Sequence, residues 1–367
     1  MRSKPRVSIV GVGLIGGSLG MAWKAAGAVS EVVGVARRAE TIDEALALGA
    51  IDRGTLDLEE GVREADVVIL APPVRSIVPV YRALQPYLKP GAVVSDVGST
   101  KGEICRAIWS SGGEERFVGG HPMAGSERDG VRAADPYLFE NAPYILVPHE
   151  RAAQDAVDLL AELVQAAGAR PLLMNPDVHD AIVATVSHIP HLLAAALVRL
   201  AAERAGEIPG VLELAAGGFR DTTRVASGPE AVWTDICMTN VSQIVQGLER
   251  FEALLRSLRE TLARRDEAGL KEMLAFSRQV REKLPAKSKG ILSTVHEIVV
   301  HVVDRPGAIH EVTGVLAGAG INIIDIEILR VREGEGGTLR LGFERWADRE
   351  QAARLLTREG YRVWSRS

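Results

Sequence analysis

At 367 residues the chain exceeds one ordinary hydrophobic core, so its length favours two or three domains. It carries 43 Lys and Arg against 48 Asp and Glu with no long block of either sign, which argues against nucleic acid and anionic membrane as partners. Residues 1–6 (MRSKPR) lead straight into an apolar strand pattern without a signal peptide's features, and no uncharged run is read as reaching the ~18 residues of a membrane span, so a soluble cytoplasmic protein is expected.

From residue 7 to about 150 the runs VSIV, EVVGV, ADVVIL, AVVSDV, a short RFVGG and APYILV alternate with helix-like stretches, the signature of βαβ units and a parallel sheet. From about 176 to 284, long apolar-periodic stretches such as DAIVATVSHIPHLLAAALVRLAAE replace the strand signals and predict a helical part. LPAKSKG (284–290) reads as a linker. Beyond it HEIVVHVV, AIHEVTGVLAGAG, INIIDIEILRV, TLRLGFERW, DREQAARLLTRE and YRVWS give the order βαββαβ, a small α+β sandwich with helices on one face. The expected class is α/β: a Rossmann-like part over 1–175, an all-helical part over 176–284, a linker at 285–294 and a βαββαβ module over 295–367. Cys105 and Cys237 lack metal-type spacing and read as small buried hydrophobes in a reducing compartment; no metal site is expected.

GVGLIGGS follows the first strand directly, so Gly11, Gly13 and Gly16 form a G-x-G-x-x-G at a strand-to-helix junction. Glycines there allow a tight turn and close approach of a pyrophosphate to a helix N-terminus, whose N–H groups and dipole favour an anion. The second strand ends in VVGVARR, with Ala36 where an NAD-binding protein offers an acid to the ribose. Arg37 and Arg38 either meet a 2′-phosphate, favouring NADP, or are solvated loop residues. LAPPV, which carries Pro72, and SDVGSTKG end two further strands whose carboxyl ends line the ligand crevice of such a sheet. Ser99 either points its hydroxyl toward the nicotinamide side, caps a helix starting near Lys101, or does both.

FVGGHPMAGSE sets His121 between two glycines and a proline at the crevice edge, with no helix or strand to pack into and small neighbours that leave the ring accessible. An imidazole titrating near pH ~6.5 accepts a proton at neutral pH. VSHIPH puts His188 and His191 around Pro190, and GGFRDTTR puts Arg220 and Arg224 four apart. If that stretch is helical, both guanidiniums share a face suited to clamping a carboxylate; the alternative is a structural network with nearby acids. Two arginines and a histidine suggest an anionic substrate with more than one carboxylate.

In this order and at these separations, GVGLIGGS, SDVGSTKG, GGHPMAGSE, VSHIPH and GGFRDTTR resemble the prephenate dehydrogenase family of tyrosine biosynthesis over roughly residues 6–284. The tail with DRPGAIHEVTGVLAGAGINI resembles an ACT domain, a module that binds small effectors. The resemblance implies that prephenate gives a hydride from ring C4 to a nicotinamide and loses its ring carboxylate as CO2, leaving 4-hydroxyphenylpyruvate. It implies His121 as acceptor of the C4 hydroxyl proton, assisted by Ser99, with Ser126, Glu127, His191, Arg220, Arg224 and Trp233 around the substrate. Around the cofactor it implies Gly11, Gly13, Leu14, Ile15, Gly16, Arg37, Pro72 and Ser99; NAD is the family default and NADP the alternative. His191 favours prephenate over arogenate, and the family's helical domain implies a homodimer. Asp304, Gly307, Ala308 and Asn322 fall at the effector edge of the ACT-like module, with L-tyrosine the expected inhibitor. Alternatives are an arogenate or dual-specificity dehydrogenase, and a sensor that binds ligands without catalysis. Loss of His121, Ser99 or the arginine pair would mark a sensor, and all are present. A β-hydroxyacid dehydrogenase would place a lysine where VSHIPH stands.

Overall fold

The computed structural model describes residues 4–125, 128–283, 296–303, 305–330 and 337–365. They fall into two compact units, residues up to 283 in one and those from 296 in the other. The expected linker at 285–294 lies outside the described residues.

The first unit is built on eight strands: β1 (Arg6–Val10), β2 (Glu31–Val35), β3 (Arg53–Thr55), β4 (Val67–Leu70), β5 (Val93–Asp96), β6 (Phe117–Pro122), β7 (Pro143–Pro148) and β8 (Arg170–Leu173). Their order is β3-β2-β1-β4-β5-β6-β7-β8, with every pair parallel except β6 with β7. The inner strands are near-continuous apolar runs because helices bury both faces. Val7, Ile9, Leu19 and Trp23 pack on one side, and Val10, Val68, Leu70 and Ile77 on the other. Trp23 Nε1 donates to the Leu163 carbonyl at 2.7 Å, pinning the first helix (Leu14–Ala25) to Gln154–Ala166. β3 and β8 are absent from the sequence reading; they are three and four residues long and open on arginine, too short to stand out as strands.

The chain runs outward from β1 to β3 and then crosses to β4 on the other flank of β1. Such a reversal opens a crevice at the strands' carboxyl ends. β6 is parallel to β5, so His121 near its carboxyl end shares an edge with Gly11, Ala36 and Pro72.

His121 is not a loop residue, as the sequence suggests, but lies within β6 opposite Ile145 of β7. Its glycine neighbours serve the strand's packing rather than ligand access. A Cβ on Gly119 would stand 2.7 Å from Cys105 Sγ, and one on Gly120 2.3 Å from the Asp96 carbonyl oxygen. Cys105 is fully buried as expected, whereas Cys237 is only partly covered.

Residues 176–283 are helical, with Pro176–Val183, Ile189–Ala205, Gly217–Thr223, Glu230–Thr239, Val241–Ala263 and Glu267–Lys283 as the α-helices. Pro190 has no N–H to give to the preceding turn, and the chain passes through a π-helical turn at Ala184–His188 before it. Contrary to expectation, the chain does hold an uncharged run of membrane-spanning length. Residues 181–198 contain no Asp, Glu, Lys or Arg, and Pro176–Ala205 is long and apolar enough by length and composition to cross a membrane. It nevertheless buries His188 and His191 against protein while leaving Val186, Leu197 and Leu200 exposed.

In the second unit β9 (His296–Val302), β10 (Asp325–Arg330), β11 (Gly337–Phe343) and β12 (Val363–Ser365) form an antiparallel sheet of order β10-β11-β9-β12. The helices Ala308–Gly318 and Trp346–Arg358 complete the expected βαββαβ order. Ile298, Val300, Leu339, Leu341 and Phe343 pack with Val312, Leu316, Ala352 and Leu356 as its core.

Candidate active site

Among the cavities of the first unit, two of about 450 Å³ each hold the residues singled out above. The first is lined by Gly11, Gly13, Ala36, Arg37, Arg38 and Pro72 among others. The three motif glycines do different work. Gly11 has φ +103°, and a Cβ there would lie 2.7 Å from the Ala71 carbonyl. A Cβ on Gly16 would lie 2.4 Å from the Gly11 carbonyl oxygen, so that glycine serves helix-to-strand packing. Gly13, the N-cap of Leu14–Ala25, faces open space, with nothing within 4 Å of a built Cβ. A cradle with an unfilled glycine at a helix N-terminus fits a dinucleotide pyrophosphate. Leu14, Ile15 and Gly16 open the helix itself and are not in the cavity wall.

The second cavity is lined by Ser99, His121, His188, Arg224 and Trp233, with Val183, Val232 and Ile236 supplying apolar wall. Ser99 is not a helix cap: the helix Gly102–Ile108 is capped at Lys101. Its first N–H groups, on Lys101 and Gly102, instead donate to the Asp180 carboxylate at 2.8 Å each. Among the described residues no hydrogen bond joins Ser99 to His121. Arg224 follows the helix Gly217–Thr223 and opens a 3₁₀ turn, while Arg220, within that helix, is exposed and absent from the cavity wall. The two arginines therefore do not meet there as a pair.

His191 also stands off the wall. It is 7% exposed and stacks on Trp233 with ring centroids 3.5 Å apart, leaving Nδ1 without a hydrogen bond. Burial lowers its pKa. Ser126 and Glu127 lie outside the described residues, as does Asp304. In the second unit Ala308 lines a cavity of about 420 Å³ with Arg305, Glu311 and Tyr361, whereas Gly307 and Asn322 do not.

Behind His121 stands a group the sequence reading missed. His121 Nδ1 lies 2.8 Å from His179 Nε2, and His179 Nδ1 lies 2.8 Å from Asp180 Oδ1. His179 and Asp180 are 1% and 5% exposed. The signal in the sequence is slight: an adjacent His-Asp at the middle of a short helix, PDVHDAIV, that runs into an apolar stretch. Burial, reinforced by nearby His179, Lys101 and His188, holds the His121 imidazole well below the ordinary histidine range, so the ring is neutral at pH 7. Burial works to raise the Asp180 carboxyl, but hydrogen bonds from His179, Lys101 and Gly102 outweigh it and keep the group below the usual carboxylate range. His188 is pushed down to about 4, chiefly by burial.

A dinucleotide cradle on the same sheet edge as a neutral histidine, with an arginine lining the histidine's cavity, defines a nicotinamide-dependent oxidoreductase acting on an anion. Residues 19–173 match the nucleotide-binding domain of prephenate dehydrogenase, 175–276 its dimerization domain, and 296–344 the ACT domain. The chain is 36% identical to the prephenate dehydrogenase of Bacillus subtilis (strain 168) over 358 residues, covering 96% of each. Its fold is similar to that of A. aeolicus prephenate dehydrogenase in complex with hydroxyphenyl propionate and NAD+. That match has TM-score 0.72 and 33% identity, over 77% of this chain and 99% of that one. It is also similar to Synechocystis arogenate dehydrogenase, with TM-score 0.68 and 31% identity over 76% and 99%. The chain belongs to the prephenate dehydrogenase family and carries an ACT domain.

Proposed function

We propose that the protein converts prephenate to 4-hydroxyphenylpyruvate and CO2, with NAD or NADP as hydride acceptor, as a cytoplasmic homodimer inhibited by L-tyrosine. The observation that carries this reading is that neutral His121 and cationic Arg224 line one cavity on the crevice edge. Its volume of about 450 Å³ suits a small ring compound.

A dinucleotide held by Gly11, Gly13 and Pro72 supplies the hydride acceptor. Arg224 binds a substrate carboxylate and fixes the ring's orientation. His121 accepts the proton of the ring hydroxyl as hydride leaves C4; loss of CO2 then aromatises the ring, and the proton returns to the oxygen. Trp233 and Val232 form an apolar wall that limits water. His191 acts on the choice between prephenate and arogenate through Trp233, on which it stacks.

A second copy covers the long helices Val241–Ala263 and Glu267–Lys283, which leave Leu254, Leu262, Leu274 and Phe276 exposed. The ACT domain takes an amino acid; the arginine, glutamate and tyrosine of its cavity offer partners for a zwitterion. Steady-state kinetics crossing prephenate and arogenate with NAD and NADP, with and without tyrosine, test the whole reading. Turnover of prephenate is expected with at least one cofactor and suppression by tyrosine; no turnover with either cofactor overturns it.

A further inference from the structure

We propose that His179 and Asp180 are positioning residues that keep the proton of neutral His121 on Nδ1, presenting Nε2 to the substrate, and that share the charge His121 acquires in turnover. This rests on the reading of His121 as proton acceptor.

The order of donors follows from the carboxylate outward. Asp180 is an ionised acceptor, already receiving Lys101 N–H on Oδ1 and Gly102 N–H on Oδ2. His179 Nδ1, 2.8 Å from Oδ1, must therefore be its donor. With a single ring proton on His179, taken up by that bond, Nε2 is left as a lone pair, and His121 Nδ1, 2.8 Å away, donates to it. His121 Nε2 is then the basic nitrogen. When it takes the hydroxyl proton, the imidazolium keeps its Nδ1–H on His179, and the buried Asp180 carboxylate two bonds away offsets the new charge. The overall reaction releases no proton, since the phenol keeps the one His121 held transiently. The chain of residues thus stabilises a charge rather than exporting it.

The carboxylate is itself fixed. Asn240 Nδ2 donates to the Asp180 carbonyl at 2.9 Å, and the two N–H groups of the Gly102–Ile108 helix cap hold both carboxylate oxygens. Neither His179 nor Asp180 is in the cavity wall, so substrate binding does not depend on them directly.

Two measurements decide the proposal. In substrate-free protein labelled with ¹⁵N-histidine, His121 signals are assigned by their loss in His121→Asn. Neutral His121 is expected as the Nδ1–H form, and an Nε2–H form overturns the relay whether or not any variant folds. In kinetics, His179→Leu is expected to lower kcat about 10- to 100-fold with KM for prephenate changed less than about 3-fold. His179→Gln, whose amide oxygen can still accept from Nδ1, is expected to recover part of that loss. Equal activity of the Leu and Gln variants, or an unchanged kcat in both, overturns the proposal. If His121→Asn retains kcat, the proton-acceptor role fails separately, and the tautomer still stands or falls on the spectrum.

Discussion

Lys101 and Asp96, each with no exposed surface, form an ion pair that closes on both backbone groups of Gly120, the residue before His121. Lys101 Nζ donates to the Gly120 carbonyl at 2.7 Å, and Asp96 Oδ1 accepts from the Gly120 N–H at 3.0 Å. Because Lys101 N–H also holds Asp180, one residue ties the strand bearing His121 to the carboxylate behind it. A buried pair of this kind contributes little net stability, yet breaking it is costly because one charge is left alone. Lys101→Met is therefore expected to lower stability by about 3–5 kcal/mol in chemical denaturation and to depress kcat. Adding Asp96→Asn should recover part of the stability; a double variant no more stable than the single one would contradict the pairing argument.

Cofactor choice is tested at Arg37 and Arg38, which line the dinucleotide cavity beside Ala36. With no acidic side chain at position 36, nothing there repels a 2′-phosphate. Arg37→Ala is expected to raise KM for NADP about 10-fold, some 1.4 kcal/mol of binding, with a change under about 2-fold for NAD. Equal effects on both cofactors would return the arginines to solvated loop residues.

The domain order and glycine turn were legible because periodicity and glycine placement are local properties of the chain. The ACT-like βαββαβ order was legible for the same reason. What escaped the sequence depends on distant contacts. β3 and β8 are strands because neighbours pair with them, not because their own residues demand it. Ser99 loses its capping role because Asp180, 81 positions on, supplies the cap. His121 was visible as a candidate, but its partner His179 lies 58 residues away. The arginines at spacing four were visible as a face; only the fold separates Arg224 at the cavity from Arg220 outside it.

Acidification should destabilise the first unit through its buried histidines. Burial lowers the folded-state pKa of His188 to about 4, against an ordinary value of 6.5, so the unfolded chain binds more protons between these values. Its contribution is present above pH 6.5 and is lost as pH falls toward 4, amounting to about 3 kcal/mol at most. His121 and His191, also lowered, act in the same direction. Denaturation at a series of pH values should show stability falling through this window, with a shallower slope in His188→Asn. An identical slope in that variant would remove His188 from the account.

Two glycines separate ligand access from packing. A Cβ on Gly13 meets open space, and its φ of −102° suits alanine, so Gly13→Ala should cost no more than about 1 kcal/mol, the difference expected at an N-cap. The added methyl nevertheless stands where a pyrophosphate must approach, so KM for the dinucleotide should rise while the melting temperature barely moves. Gly120→Ala has the opposite signature. Its Cβ would sit 2.3 Å from the Asp96 carbonyl oxygen and 2.9 Å from Ser95 Oγ, so the strand must shift away from β5. That shift pulls on the Lys101 and Asp96 contacts and moves His121 with it. A clear loss of thermal stability and a lower kcat are expected, and a Gly120→Ala protein that melts like the parent would show that β6 has slack this packing denies it.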